Sequence, residues 1–158
     1  VEAGTVIDAS GTLGGGQILV GGDFQGKNAA VQNATRVFVD EGVQLRADAG
    51  QFGDGGRVIV WADENTRYYG QLSARGGRDG GNGGFAEVSG KKNLDFQGGA
   101  DLSAAKGKSG TLLLDPLDII VSANGARLPD VTDEFADFQS NVITISPTAI
   151  SIRRPVKK

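Results

Sequence analysis

The chain has 158 residues, a formal net charge of −3 at pH 7, 26 glycines and only 4 prolines. It contains no cysteine, methionine or histidine, which excludes disulfides, thiolate nucleophiles, imidazole bases and the commonest zinc ligands. The acidic balance also argues against nucleic acid as a partner, because binding a phosphate backbone requires a basic face.

Four segments of one pattern recur along the chain, and each opens on a glycine. These A segments are GTVIDASG from Gly4, GVQLRADAG from Gly42, GQLSARGG from Gly70 and GADLSAAKG from Gly99. Every second side chain of a strand lies on the same face. The alternation predicts inward rows of Ile7, Leu45, Leu72 and Leu102, and of Ala9, Ala47, Ala74 and Ala104. Solvent-facing positions are predicted at Asp8, Arg46, Ser73 and Ser103.

A second set, the B segments, follows the A segments in turn. Its members are GGQILVGGD from Gly15, GGRVIVWAD from Gly55, GGFAEVSG from Gly83 and GTLLLDPLD from Gly110. The same alternation predicts inward rows of Ile18, Val58, Ala86 and Leu112, and of Val20, Val60, Val88 and Leu114. A looser third set, the C segments, supplies the remaining side of each circuit: TRVFVD from Thr35, TRYYG from Thr66 and NLDFQG from Asn93.

The two better-defined sets share one period. Successive A segments are 38, 28 and 29 residues apart, and successive B segments are 40, 28 and 27 residues apart. The longer first interval indicates a single insertion, FQGKNAAVQNA at residues 24–34, which we expect to bulge from a corner without disturbing the stack. The triplet Asn33-Ala34-Thr35 inside it matches a glycosylation sequon, which we interpret as a coincidental match.

Three short strands per circuit, glycine-rich corners and a repeat of about 28 residues are typical of a parallel β-helix. We therefore predict an all-β fold, a right-handed parallel β-helix of about four coils over residues 1–122. Residues 123–158 are predicted to form a capping or crossover segment that ends in the basic tail RRPVKK. Strands are expected at residues 117–122 and 141–146, and residues 130–138 fit either a short amphipathic helix or a structured loop.

The glycine-rich stretch GGRDGGNGGFAEVSG, at residues 76–90, does not fit a ligand-binding loop. A phosphate-binding loop needs Lys followed by Ser or Thr, and a dinucleotide fingerprint needs a following helix, whereas residues 85–88 continue as a strand. The calcium-binding β-roll repeat requires an aspartate where this chain has Phe85. No cofactor or metal is predicted; an incidental calcium at Asp54, Asp63 or Asp79 is the alternative to solvated turn aspartates.

No catalytic residues are predicted. A glycosidase pair requires two acids in adjacent coils of one outward row. The outward A row contains a single acid, Asp8, and the outward B row contains only Glu87 among apolar residues. Asp48 and Arg75 are neighbours at one corner, where we expect a surface ion pair.

The outward side of the B segments is unexpectedly apolar. We call these residues the outer B face: Leu19, Ile59, Trp61, Phe85 and Leu113. An exposed apolar strip marks a covered or a binding surface. Either the C-terminal strands cover it, through residues 119–121 and 142–145, or it contacts another subunit or a ligand. Trp61 with Tyr68 and Tyr69 is an alternative platform for sugar rings.

The order of these segments also resembles a known family. The succession GGQILVGGDFQG, VFVDEGVQLRADAG, GDGGRVIVWADENTRYYGQLSARGG, GGNGGFAEVSGKKNLDFQG and GTLLLDPLDIIVS resembles the β-helical stalk of filamentous-haemagglutinin-like exoproteins. These are large bacterial surface proteins that are exported by two-partner secretion and often act as adhesins. The resemblance covers residues 4–122. The Asn-Pro-Asn signatures of the family's secretion domain do not occur, so the chain resembles the stalk downstream of that domain.

The resemblance implies a non-enzymatic structural or adhesive module of a secreted or surface-held bacterial protein. The implied partners are an outer-membrane transporter during export and then a host receptor, a glycan or an extracellular-matrix component. Contact is expected at the outer B face or at the coil ends. Two alternatives stay open: head-to-tail assembly into a filament through open coil ends, and a carbohydrate-binding or polysaccharide-degrading β-helix protein.

Overall fold

The computed structural model describes residues 1–115 and the short strand Thr144–Ile145. These residues form twelve strands and one 3₁₀ turn at Phe24–Gly26. In chain order the strands are β1 (Val6–Asp8), β2 (Gln17–Val20), β3 (Arg36–Val39), β4 (Gln44–Arg46), β5 (Arg57–Ala62), β6 (Asn65–Tyr68), β7 (Gln71–Ser73), β8 (Phe85–Gly90), β9 (Asn93–Phe96), β10 (Gly99–Asp101), β11 (Thr111–Leu113) and β12 (Thr144–Ile145).

The strands form three parallel sheets of four strands each. Sheet A has the order β1-β4-β7-β10, sheet B the order β2-β5-β8-β11, and sheet C the order β3-β6-β9-β12. The chain visits the three sheets in turn and returns to sheet A one strand further along. It therefore winds as a parallel β-helix of about four coils, which confirms the predicted fold class.

Sheet B matches the predicted register. Ile18, Val58, Ala86 and Leu112 follow one another in a single file across the four strands. Val20, Val60 and Val88 form the neighbouring file. Their side chains belong to one continuous apolar core that runs through the coils. The column is stabilised by burial of aliphatic surface, at about 25 cal/mol per Å² removed from water.

Sheet A corrects part of the prediction. Ile7, Leu45 and Leu72 share one file, but its fourth member is Ala100 instead of Leu102. Leu102 lies two residues further along, level with Ala74, and packs against the core there. Small Ala100 thus lies beside Leu72, and larger Leu102 lies beside small Ala74. This exchange of small and large side chains keeps the interior of the column filled.

The same shift moves two other predicted positions. Asp101, not Ser103, follows Ser73 in the outward row, and Ala104 does not continue the inward alanine row. The prediction opened the fourth A segment at Gly99, yet Gly99 is the first residue of β10 and pairs with Gln71. The turn glycine equivalent to Gly70 is therefore Gly98, and matching Gly70 with Gly99 did not match equivalent strand positions.

Sheet C is also shifted from the predicted alignment. Thr66 pairs with Val37 instead of Thr35, and Asn93 pairs with Asn65. The inward positions include a pair of stacked rings, Tyr68 and Phe96, with centroids 5.4 Å apart and planes 7° from parallel.

Paired glycines make the corner between sheets A and B possible. A Cβ atom on Gly55 would lie 2.0 Å from the carbonyl oxygen of Ala74, and one on Gly56 would lie 2.0 Å from that of Gly16. The same arrangement recurs one coil further on at Gly83 and Gly84. The glycine-rich stretch at 76–90 is therefore a coil corner in which stacked backbones approach too closely for a side chain.

The C-terminal predictions fall largely outside the described residues, including the strand at 117–122, the stretch at 130–138 and the basic tail. Thr144–Ile145 pairs in parallel with β9 and ends sheet C. In the part of the chain that the structure describes, no helix is long and apolar enough to cross a membrane.

Candidate binding surface on the outer face of sheet B

Sheet register brings the outer B face together on one side of the β-helix. Leu19, Ile59 and Leu113 lie in one file, and Glu87 occupies the position between Ile59 and Leu113. Phe85 lies in the adjacent file beside Arg57, and Trp61 lies beside Ser89. The five residues thus share a face, with a carboxylate in the middle of its apolar file.

The insertion at residues 24–34, which we call the strap, folds across this face. Phe24 contacts Phe85 edge to face, with ring centroids 5.8 Å apart. The Arg57 guanidinium lies 5.3 Å from the centroid of the Phe24 ring and 3.5 Å from an oxygen of Asp23. The stack is undisturbed across the insertion, as expected, because β1 pairs with β4 and β2 with β5 in continuous register. The insertion does not simply bulge from a corner, because its first turn packs on sheet B.

The hypothesis that the C-terminal strands cover the outer B face is wrong for the part that is described. Thr144–Ile145 extends sheet C instead, beside β9. Residues 119–121, the other part of that hypothesis, lie outside the described residues. The strap is thus the described segment that covers this face. Unlike the C-terminal strands of the hypothesis, it contains few apolar residues.

Trp61 lies under the strap. Only 5% of its surface is exposed, and its Nε1 donates a hydrogen bond of 3.1 Å to Asp63 Oδ1. Gly26 lies against the indole so closely that a Cβ atom there would be 2.5 Å from Nε1. The flat faces of the ring are therefore not available for stacking on a sugar while the strap is in place.

The two tyrosines do not join Trp61 on one platform. Tyr68 points into the column, where it is fully buried, and burial raises the pKa of its hydroxyl. Tyr69 is half-buried, contacts Phe38 edge to face at 5.8 Å and donates a 2.8 Å hydrogen bond to Asp95. The alternative of a three-ring sugar platform is therefore wrong.

Asn33, the first residue of the sequon, holds the end of the strap. Its Nδ2 donates to the carbonyl oxygen of Gly26 at 2.9 Å and to Asp63 Oδ1 at 3.1 Å. Asp63 therefore accepts hydrogen bonds from both Trp61 and Asn33. The asparagine has a structural role in this loop, and the interpretation of the sequon as coincidental stays a prediction.

Glu87 is the least expected residue of this surface. Its side chain is fully buried, and Oε2 accepts a 3.1 Å hydrogen bond from the backbone N–H of Gln25 in the strap. Burial raises the pKa of Glu87 above its ordinary value, and Asp115 adds to that rise. The Gln25 N–H, the Ser89 hydroxyl and Arg57 lower it to a smaller extent. In the sequence, Glu87 was marked as unusual because it is the single acid in an otherwise apolar outward row.

Sheet A presents a polar outer face. Burial raises the pKa of Asp48, but hydrogen bonds from Arg75 outweigh this effect and hold it below its ordinary value. Asp48 Oδ2 accepts from Arg75 Nη2 at 2.7 Å and from Ser73 at 3.1 Å, and Oδ1 accepts the Arg75 backbone N–H at 2.7 Å. The structure thus contains the predicted ion pair, within a groove of about 1600 Å³ along this face.

One outer row of sheet A contains Asp8, Arg46, Ser73 and Asp101. The fourth position was predicted as Ser103, so the row has a second acid, but two coils lie between it and Asp8. Side-by-side carboxylates of neighbouring coils do not occur in this row.

The three aspartates considered for calcium lie apart and have protein partners. Asp54 accepts the backbone N–H of Asn82 at 2.6 Å, Asp63 binds the strap, and Asp79 lies 3.5 Å from Arg78. Among the described residues, no group of three or more acidic side chains is close enough to hold a metal ion.

No family model matches the chain, and no curated protein matches it in sequence. The resemblance to filamentous-haemagglutinin-like exoproteins therefore stays a prediction that rests on the segments given above.

Proposed function

We propose that the chain is a non-enzymatic structural and adhesive module of a secreted bacterial surface protein. The observation that carries the proposal is the unbroken parallel register of the three sheets from the first coil to the last. Side chains fill the interior of the stack, so the module acts as a stiff spacer. Binding to partners then takes place on the outer surface, which is formed by the strap and the outward rows of the sheets.

The contact surface that we propose is the rim of the strap on sheet B. Phe24 is 37% exposed and Leu19 is 36% exposed, although both lie beside buried neighbours on this face. Arg57 lies between the rings of Phe24 and Phe85, at 5.3 and 6.0 Å from their centroids. Aromatic and arginine side chains of this kind dominate the binding energy of protein interfaces. A receptor protein, a matrix component or a glycan with planar apolar surface fits this chemistry.

Binding of the purified chain to arrayed glycans and immobilised extracellular-matrix proteins tests the proposal. We expect Phe24→Ser to weaken the strongest interaction by at least about tenfold, because Phe24 is the most exposed ring on this face. Leu13→Ser is the matched control, since Leu13 is 76% exposed at a different corner. Thermal unfolding of both variants verifies that the coils are intact.

Two results would count against the proposal. If the chain binds none of the ligands, or if Phe24→Ser and Leu13→Ser behave alike, the strap rim is not an adhesive surface. Turnover of an arrayed polysaccharide would favour the polysaccharide-degrading alternative, for which the groove on sheet A is the place to search.

The edge strands of the first coil favour a second candidate, a subunit of a head-to-tail filament. Among the described strands, β1, β2 and β3 lie at the edges of their sheets. Val6 on β1 is 52% exposed, and such an edge is a template for another strand. Sedimentation over a concentration series tests this candidate: we expect growing assemblies that Val6→Pro abolishes, whereas a monomer at every concentration contradicts it.

A further inference from the structure

Two buried oxygen atoms on the outer face of β8 are not satisfied by the protein. Glu87 and Ser89 are both 0% exposed, and they alternate on the same face of the strand. Within the described part of the chain, neither Glu87 Oε1 nor Ser89 Oγ makes a hydrogen bond of acceptable geometry, although the Ser89 hydroxyl is near enough to the carboxylate to lower the pKa of Glu87. Leaving buried polar groups without partners is costly, at about 1–3 kcal/mol each and more for a charged group. Such a pair on one face points to a ligand.

A second carboxylate approaches the same place from the next coil. Asp115 is two residues beyond Leu113, the last residue of β11, which pairs with Glu87. Gln25 of the strap joins the two acids: its backbone N–H donates to Glu87 at 3.1 Å, and its Nε2 donates to Asp115 Oδ2 at 3.4 Å. Gln25 adopts a left-handed backbone conformation, with φ of 54°, to reach both. Strap, third coil and fourth coil therefore converge on one group of oxygen atoms.

The charges around this group favour a cation. Asp115 is close enough to Glu87 for its charge to contribute to the raised pKa of Glu87, and both acids contact Gln25. Two positive groups lie nearby, and both already have partners. Arg57 is engaged by Asp23 at 3.5 Å and by two aromatic rings. Lys27 Nζ donates a 2.6 Å hydrogen bond to Gln25 Oε1. Carboxylate and hydroxyl oxygens without nitrogen or sulfur donors are the ligand set of hard divalent cations, and Ca²⁺ tolerates irregular geometry better than Mg²⁺.

We propose that Glu87, Asp115 and the Ser89 hydroxyl hold a calcium ion beneath the strap. Water completes the coordination, as it commonly does for Ca²⁺. The ion binds oxygens from the third and fourth coils directly beside Gln25, and it therefore locks the strap over Trp61. This site does not depend on the proposed adhesive function and is tested separately.

Sensitised terbium emission tests the site directly, because Tb³⁺ replaces Ca²⁺ at oxygen-rich sites. The chain has a single tryptophan, and Trp61 pairs with Ser89 on the neighbouring strand, so a bound Tb³⁺ ion lies close to its energy donor. We expect saturable emission with one ion per chain, displaced by Ca²⁺ and less effectively by Mg²⁺. Glu87→Gln and Asp115→Asn are each expected to weaken binding at least about tenfold, since each removes one of two charged ligands. Asp101→Asn, an exposed acid on sheet A, is the matched control.

Thermal unfolding distinguishes a cation site from a merely buried acid. In excess chelator, Glu87→Gln removes an unsatisfied charge but keeps an acceptor for the Gln25 N–H, so we expect it to melt above the parent chain. In excess Ca²⁺ the order is expected to reverse, because only the parent gains binding free energy.

The proposal is overturned if Glu87→Gln has the same melting advantage with and without Ca²⁺. It is also overturned if the parent chain gives no saturable emission, or if Glu87→Gln and Asp115→Asn bind Tb³⁺ as well as Asp101→Asn does. Asp115→Asn leaves the buried Glu87 carboxylate in place. The Tb³⁺ binding measured for Asp115→Asn is therefore informative even if Glu87→Gln fails to fold.

Discussion

A close backbone contact between two coils gives the sharpest test of the fold. A Cβ atom on Gly84 would lie 2.0 Å from the carbonyl oxygen of Gly56, whereas real Cβ contacts are essentially never shorter than 3.0 Å. Gly84→Ala therefore requires two stacked backbones to separate by about 1 Å. A Cβ atom on Gly80, in the same corner, would have only the Phe52 ring nearby, at 3.7 Å, so Gly80→Ala requires no movement.

The cost of Gly84→Ala follows from the bond that the displaced carbonyl makes. Gly56 O accepts the backbone N–H of Phe85 at 3.0 Å, and a further 1 Å of separation ends that hydrogen bond. Loss of a buried backbone bond costs about 1–3 kcal/mol, and the overpacked corner adds about 1–3 kcal/mol. The reduced freedom of the unfolded chain offsets about 0.4–1 kcal/mol. We expect a net loss of about 3 kcal/mol.

Urea unfolding monitored by Trp61 fluorescence measures the free energy of unfolding of both variants. Gly80→Ala is expected to be neutral or stabilising by up to about 1 kcal/mol, because only the entropy of the unfolded chain changes. Equal denaturant slopes are required before the two free energies are compared. A difference between the variants below about 1 kcal/mol would refute the stacking of Gly84 on Gly56, and with it the register of sheet B.

Two further predictions concern buried polar groups. The Tyr68 hydroxyl is buried in the core and has no hydrogen-bond partner among the described residues, so Tyr68→Phe is expected to stabilise the chain by about 1 kcal/mol. Tyr69→Phe, which breaks the 2.8 Å bond to Asp95, is expected to destabilise it in the same urea assay; equal effects would contradict the assignment of Tyr68 to the interior. Because the pKa of Asp48 is lowered in the folded chain, the Arg75 pair stabilises the fold above the ordinary carboxyl pKa, and this contribution is lost as pH falls through the lowered value. The stability difference between the parent and Arg75→Gln is therefore expected to shrink on acidification, and a constant difference would show that Asp48 is not the linked group.

Sheet B could be predicted in detail because two signals agree in the first three coils. The aliphatic alternation at Ile18, Val58 and Ala86 follows paired glycines at a constant distance. Those glycines are dictated by backbone contact, so they mark structurally equivalent positions. Because close backbone contact permits only glycine at these positions, they are a reliable guide to strand register.

Sheets A and C could be predicted only approximately, for the opposite reason. Gly70 lies in a turn whereas Gly99 already lies in β10, opposite Gln71, and the predicted row placed Leu102 two residues from its true level. Thr35 and Thr66 look equivalent in sequence, but the first follows the strap and the second lies inside β6. Where a glycine or threonine falls in these turns depends on the length of the loop. The alternation of side chains within a strand carries no information about that length.

The strap could not be placed from sequence at all. Its residues show no period, and its contacts with Glu87 and Trp61 depend on one left-handed residue, Gln25, and on the fit of Gly26 against an indole. The apolar outer B face was nevertheless visible, together with the need for something to cover it. The sequence thus indicated that a cover exists without indicating which segment supplies it.

The winding of the chain determines how the module responds to tension. The backbone ladders, which run along the axis of the stack, bond each coil only to the coils on either side of it, and the strap adds bonds from the first coil to the third and fourth. A pull on the outermost turn loads that turn's ladder first, so backbone is released one circuit at a time while the deeper circuits keep their shape. A chain wound in this way lengthens in steps under load and dissipates work at each of them instead of failing at once.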